Sequence, residues 1–250
     1  MVRHTQDEYL RAIWKLSFPL GEFMAARPGP KPTAPARIAE LLDVSRASVG
    51  EMLGRLEQAG LVSRGERKEA LLTPAGRIQA MSAVRRHRIA ESFVVDMLGY
   101  DAAYAHDRAS RMAEALDDDA IERLFQRLGA PERCPHGFPT DPDHELRENP
   151  TLVPAADAAE DEALVLVRVD ARACELRERL ERASITLQDP VRVTCEGDVH
   201  QLSGPSGQRI DLAPADLEQL AVRREGVPAV PAEAACWAST VAAGEARDDA

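Results

Sequence analysis

His87 and Glu91 stand four residues apart in VRRHRIAESFVVDML, residues 84–98. The apolar residues of that stretch, Val84, Ile89, Phe93, Val94, Met97 and Leu98, recur at helical spacing, so the imidazole and the carboxylate share one helical face. Imidazole nitrogen and carboxylate oxygen both bind divalent metals, and this pair would be half of a coordination sphere. The alternative is a solvated i,i+4 pair beside Arg85, Arg86 and Arg88. The metal reading needs further ligands from elsewhere in the chain. A metallohydrolase is disfavoured, because HExxH is absent and nothing supplies a nucleophile or a second acid/base group.

The elements that must position this pair follow from caps and periodicity. Thr5 and Glu8 form a capping-box pattern ahead of Leu10, Ile13 and Trp14, which predicts a first helix. A Pro- and Gly-rich loop, FMAARPGPKPTAP, follows it. A second helix starts near Pro35, with Ile38, Leu41 and Leu42 facing inward. Ser45 caps a third, which buries Val49, Met52, Leu53 and Leu56 and ends at Gly60. LVSRGERKEALLTP then reads as a β-hairpin around Gly65. Thr73-Pro74 starts a long helix over roughly 74–98, and two more follow at about 102–116 and 118–128.

Helix, turn, helix and hairpin make a winged helix-turn-helix, whose second helix enters the major groove of double-stranded DNA. Its outer face presents Arg46, Ala47, Ser48, Glu51 and Arg55. Arg46 and Ser48 can reach bases or phosphates, and Glu51 can accept from a cytosine amine. Arg64, Arg67 and Lys68 on the hairpin would lie along phosphates. The net charge of -11 argues against nucleic acid only until it is divided. Residues 1–77 carry +3 and the remainder -14, so DNA contact belongs to the front.

With 250 residues, 44% hydrophobic and 29% charged, the chain has the composition of a soluble globular protein. No apolar run nears the ~18 residues of a membrane span, and the N-terminus does not resemble a signal peptide. Cys134, Cys174, Cys195 and Cys236 form no CxxC, which suits a reducing cytoplasm. Residues 139–163 are Pro-rich and acidic and read as a linker. LVLVRV, PVRVTC and LAVRRE read as strands, ACELRERLERA as a helix and SGPSGQ as a turn, which together suggest a small barrel at 164–224. Residues 225–250 are expected to be a disordered tail.

EYLRAIWKL, ARIAELLDVSRASVGEMLGRLEQAGLV, LTPAGR, RRHRIAE, LGYD, AHDRAS and CPHGFP together resemble the DtxR/MntR family of metal-dependent transcriptional repressors, over about residues 5–224. The resemblance implies a mainly α fold with a small β part. It divides into a winged helix-turn-helix (1–75), a helical metal-binding and dimerisation domain (76–138), a linker, and an SH3-like, FeoA-type barrel. It also implies a homodimer on a palindromic operator, loaded with Mn2+ or Fe2+.

The resemblance further assigns ligands to His87 and Glu91, to His106 in AHDRAS, and to Glu8 on the first helix, a hard donor that leans towards Mn2+. The family's fifth helix offers a Cys or Glu, then Glu and His; here Ser110, Ala113 and Glu114 stand there, and only Glu114 remains a strong donor. Asp170 falls near an outer ligand of some relatives. Cys134 and His136 read as structural, and His4, His144 and His200 have no partner at useful spacing. The expectation is a cytoplasmic, metal-responsive repressor and not an enzyme. The alternatives are a winged regulator without metal control and an adaptor role for the acidic barrel.

Overall fold

The computed structural model describes residues 4–18, 32–196 and 199–229. Most of the Pro-rich loop and of the acidic tail therefore lies outside the described residues. The chain divides into two compact units that meet along the sequence at residues 142 and 143.

The first unit begins with α1 (Gln6–Ser17), closed by the expected capping box between Thr5 and Glu8. Leu10, Ile13 and Trp14 are almost fully buried, which is what their spacing demands. Helices α2 (Pro35–Leu42) and α3 (Arg46–Gln58) follow. Asp43 in the left-handed region ends α2, and Ser45 accepts from the Ser48 amide to start α3. Val49, Leu53 and Leu56 are buried, whereas Met52 is only half-buried. The hairpin of β1 (Val62–Arg64) and β2 (Ala70–Leu72) pairs Val62 with Leu72.

Gly76, in the first turn of α4 (Pro74–Ser92), is required by contact: a Cβ there would sit 1.7 Å from the Leu61 carbonyl oxygen. The long helix expected to reach residue 98 changes pitch. After Ser92 it continues as a π-helical turn, Phe93–Met97, with the Leu98 amide bonding back to the Phe93 carbonyl at 3.2 Å. Gly99, at φ 71°, ends it. A short 3₁₀ turn (Ala102–Tyr104), α5 (Ala105–Ala115) and α6 (Asp118–Arg127) complete the helices of the unit. Ala90, Val94, Ala105, Ala109 and Ala113 form a small-residue core between α4 and α5.

In the second unit the residues read as a linker are structured. They hold α7 (Pro142–Glu148) and β3 (Leu152–Pro154). Two of their acids, Glu145 and Glu148, face inward: Glu148 is fully buried and its Oε2 pairs with Arg168 at 2.6 Å. Strands β4 (Leu164–Val169), β5 (Pro190–Glu196), β6 (Val199–Ser203), β7 (Arg209–Leu212) and β8 (Leu220–Arg224) join β3 in a six-stranded antiparallel sheet, ordered β3-β8-β4-β5-β6-β7. Helices α8 (Cys174–Arg182) and α9 (Pro214–Leu217) contribute Leu176, Leu180 and Leu217 to its core. Strands β3, β6 and β7 are short or polar and were not read from the sequence.

Candidate metal centre

Helix α4 runs through the interior of its unit, with every residue from His87 to Ser92 buried. An i,i+4 pair on it therefore cannot be solvated, and the ordinary reading of the spacing is set aside. His87 Nε2 lies 2.9 Å from Glu91 Oε1, and His106, the second residue of α5, brings its Nδ1 to 3.0 Å from His87 Nε2 and 3.1 Å from the same oxygen. Three lone-pair donors about 3 Å apart outline one face of an octahedron whose centre-to-ligand distance is about 2.1 Å, the bond length of small divalent cations to N and O.

The second carboxylate oxygen has its own partners. His136 Nδ1 sits 3.3 Å from Glu91 Oε2, and Cys134 completes a buried group with Glu91 and His136 whose donor atoms all lie within 4.8 Å of one another. Both residues come from a tight turn in which the Gly137 amide bonds the Cys134 carbonyl, with Gly137 at φ 86°. Arg88 holds that turn against α4: its Nη1 donates to the Pro139 carbonyl at 2.7 Å, and its guanidinium lies over the Phe138 ring. His136 Nε2 faces the Ala102 carbonyl at 3.1 Å. A carbonyl only accepts, so Nε2 carries the proton and Nδ1 is the atom aimed at Glu91.

Burial pushes the Glu91 acid up, but the neighbouring imidazoles of His87 and His136 and the hydrogen bonds of His106 and His136 outweigh it and hold the acid well below the usual carboxylate range. Burial opposes a charge on His136 too, yet the Glu91 carboxylate, with Cys134, carries it up to about 10. Burial dominates at His87 and drives it down to about 3, so its imidazole stays neutral. The other ring nitrogen of His87, Nδ1, is buried without a hydrogen-bond partner. Imidazole nitrogens, a thiol and one shared carboxylate gathered in buried groups are the chemistry of a metal site, and the residues present fit a divalent cation.

The remaining candidates fall elsewhere. Glu8 is engaged locally: its Oε2 accepts from the Thr5 amide and meets His4 Nδ1, each at 2.9 Å. His4, which showed no partner in the sequence, thus pairs with Glu8. Glu114 accepts from the Thr5 hydroxyl at 2.7 Å, and neither acid belongs to a ligand group among the described residues. Asp170 lies in the second unit, where its carboxylate caps the turn into α8 by accepting from the Arg172 amide. Cys134 and His136, read as structural from the sequence, stand with Glu91 in a second group of possible donors. Their C-x-H spacing inside a Gly-closed turn was visible, but not that the turn folds back onto α4.

On the candidate DNA face, Arg46, Ala47, Glu51 and Arg55 are exposed along α3, and Ser48 is half-buried with its hydroxyl 2.9 Å from that of Ser45. Arg67 and Lys68 are exposed at the hairpin tip and Arg64 is half-buried at its base. Ser48 is thus committed to the helix cap, and Arg46, Glu51 and Arg55 are the long polar side chains left to reach outward from this set on α3.

Two family profiles match in succession: "Iron dependent repressor, N-terminal DNA binding domain" over residues 1–70, and "Iron dependent repressor, metal binding and dimerisation domain" over residues 73–141. The diphtheria toxin repressor of Corynebacterium diphtheriae is 34% identical over 135 residues, 54% of this chain and 55% of that protein. The iron-dependent repressor IdeR of Mycobacterium tuberculosis is 34% identical over 155 residues, 62% of each. The match therefore spans a little over half the length of the first relative and under two thirds of the second. A manganese-dependent transcriptional repressor in complex with manganese superposes with a TM-score of 0.71 at 25% identity, over 88% of this chain and 100% of that one. ScaR with bound Zn2+ superposes with a TM-score of 0.68 at 25% identity, over the same shares.

Proposed function

The chain belongs to the iron-dependent repressor family, and on that premise we propose that it is a homodimeric, divalent-metal-responsive repressor of palindromic operators. The observation that supports this best is the shared carboxylate of Glu91, which gathers donors from α4, α5 and the Cys134–Phe138 turn. His87, Glu91 and His106 would hold a cation on one side, and Cys134 and His136 offer a second set on the other. A cation bound there supplies the positive charge that ties three separate segments together.

The chain's own residues carry that tie outward. Helix α4 packs on α1, and α1 on α2, so the angle between the winged helix and the helices behind it depends on how firmly α4, α5 and the turn are held. Met97, Leu98, Tyr100 and Tyr104 are 61%, 52%, 44% and 52% exposed and offer a second copy an apolar face. Two copies would set their α3 helices about one turn of DNA apart, ~34 Å. With Glu8 engaged in its cap, the donor set is imidazole, carboxylate and thiolate. That set binds Fe2+ more tightly than Mn2+, following the usual order of divalent affinities. No described helix is long and apolar enough to cross a membrane, in keeping with action on cytoplasmic DNA.

The test is binding to a palindromic duplex selected from a random pool. The full chain should shift it more tightly with Fe2+ or Mn2+ than with chelator, and His87→Ala should remove that gain while keeping chelator-level binding. Equal binding in both conditions would discard metal control and keep the DNA reading. A reader without metal control is the second reading, favoured by Ala113 lying in an apolar core where relatives place a ligand. A melting temperature unchanged by metal would select it, because a ligand of the folded state must raise it.

A further inference from the structure

We propose that Arg11 is a built-in cation that closes the seam between α1 and α5, so that this seam takes no metal and the response to metal is confined to the Glu91 pocket. Arg11 projects from α1 with its side chain only 15% exposed. Its Nη2 donates to Ser110 Oγ on α5 at 3.1 Å and stands 3.9 Å from Glu8 Oε1. The acids that face it come from three helices: Glu8 and Asp7 on α1, Glu91 on α4 and Glu114 on α5. Thr5, capping α1, donates its hydroxyl to Glu114 and adds a second bridge across the seam.

Each feature is what a metal joint between two helices would show, with one substitution. Acids and a hydroxyl from both sides converge on a positive centre, and that centre is covalently part of α1. A guanidinium is always charged and offers five donors, so it satisfies converging oxygens without titrating or dissociating. It also excludes a divalent ion, both by repulsion and by occupying the oxygens such an ion would need. Ser110 and Ala113 fit this arrangement. The first is small enough to accept from Arg11, and the second turns away into the apolar core shared with α4. Because α1 and α5 each pack chiefly on α4, these side-chain bridges add a direct tie between them.

Any consequence for DNA binding rests on the proposed metal-gated reading, but the seam does not, and amide hydrogen exchange of the full chain separates the two. In the wild-type protein, residues 9–17 of α1 should already be protected in chelator, and saturating Mn2+ should slow their exchange no more than it slows the first unit as a whole, while the Cys134–Phe138 turn gains more than that. Protection of α1 that appears only with metal would overturn the proposal. In chelator, Arg11→Met should speed exchange in α1 about tenfold or more, as loss of a buried charge-assisted bond requires, with α8 and β4 as unaffected references. Arg11→Lys, which keeps a cation, should retain most of the protection. Unchanged α1 exchange in Arg11→Met would equally overturn it. If Arg11→Met unfolds the whole first unit, the wild-type comparison decides. Finally, Arg11→Glu leaves only acids and hydroxyls at the seam and should add one bound Mn2+ per chain by equilibrium dialysis. An unchanged count would mean that Arg11 is not what keeps metal out.

Discussion

Each unit of this protein buries a carboxylate that it must compensate, and the two do so differently. In the second unit Glu148 is fully buried against Arg168, whose Nη2 is 2.6 Å from Glu148 Oε2 and whose Nη1 donates to Asn149 at 2.8 Å, with Glu145 at 3.7 Å and Arg223 approaching from the far side. In the first unit Glu91 is as deeply buried, yet its partners are imidazoles and a thiol. A guanidinium keeps its charge at every accessible pH and has no lone pair to give, so the Arg168 knot is closed. A neutral imidazole has a ring nitrogen with a lone pair to give to a metal, so the Glu91 knot is open to exchange. Burial alone does not mark a functional site. What distinguishes one is whether the partners of the buried charge can change state.

The largest expected effect breaks the closed knot. Arg168→Met should cost about 3–5 kcal/mol in denaturant unfolding, because the fully buried Glu148 carboxylate loses its 2.6 Å guanidinium partner. Adding Glu148→Leu should recover much of that loss, and neither variant should alter the stabilisation conferred by metal. A smaller effect sharpens the open one. At a metal concentration a hundred times its dissociation constant, the wild-type chain should gain about 2.7 kcal/mol. Glu91→Gln, which removes the shared charge, should lose nearly all of that gain in a thermal-shift titration while Arg168→Met retains it.

The smallest effect is the pH profile in chelator. His87, lowered to about 3, refuses a proton that the unfolded chain binds below 6.5, so its contribution is lost as pH falls from 6.5 towards 3. Glu91, held well below 4.5, acts in the same direction. His136, raised to about 10, binds a proton that the unfolded chain releases above 6.5, so its contribution is complete below 6.5 and lost as pH rises towards 10. Stability should therefore peak near pH 6.5 in the metal-free protein. Glu91→Gln should flatten the peak and Arg168→Met should leave its shape unchanged. A profile that follows Arg168 instead would show that the open knot had been placed in the wrong unit.

Much of the helical front was legible from local signals. Thr5, Ser45 and Thr73 cap helices where their side chains imply, and Leu10, Ile13, Trp14, Leu53 and Leu56 are buried where periodicity puts them. The second unit was less legible. Glu145 and Glu148 looked like linker charges, because nothing near them in sequence shows that Arg168, some twenty residues away, would be buried beside them. The π-helical turn after Ser92 was equally hidden, since its residues carry an ordinary helical pattern.

By itself the sequence determined the local grammar: which segments are helices, which face of α3 is polar, and that His87 and Glu91 share a side of α4. Those follow from the fixed pitch of a helix and from caps formed within four residues. Only the tertiary structure decided that this side is buried and that a distant Cys-Pro-His-Gly turn delivers Cys134 and His136 to the second oxygen of Glu91. It also put Glu8 beside Arg11 and outside the side-chain cluster around Glu91. Coordination and charge compensation act through space over a few ångströms, and residues that meet there can be separated by any length of chain.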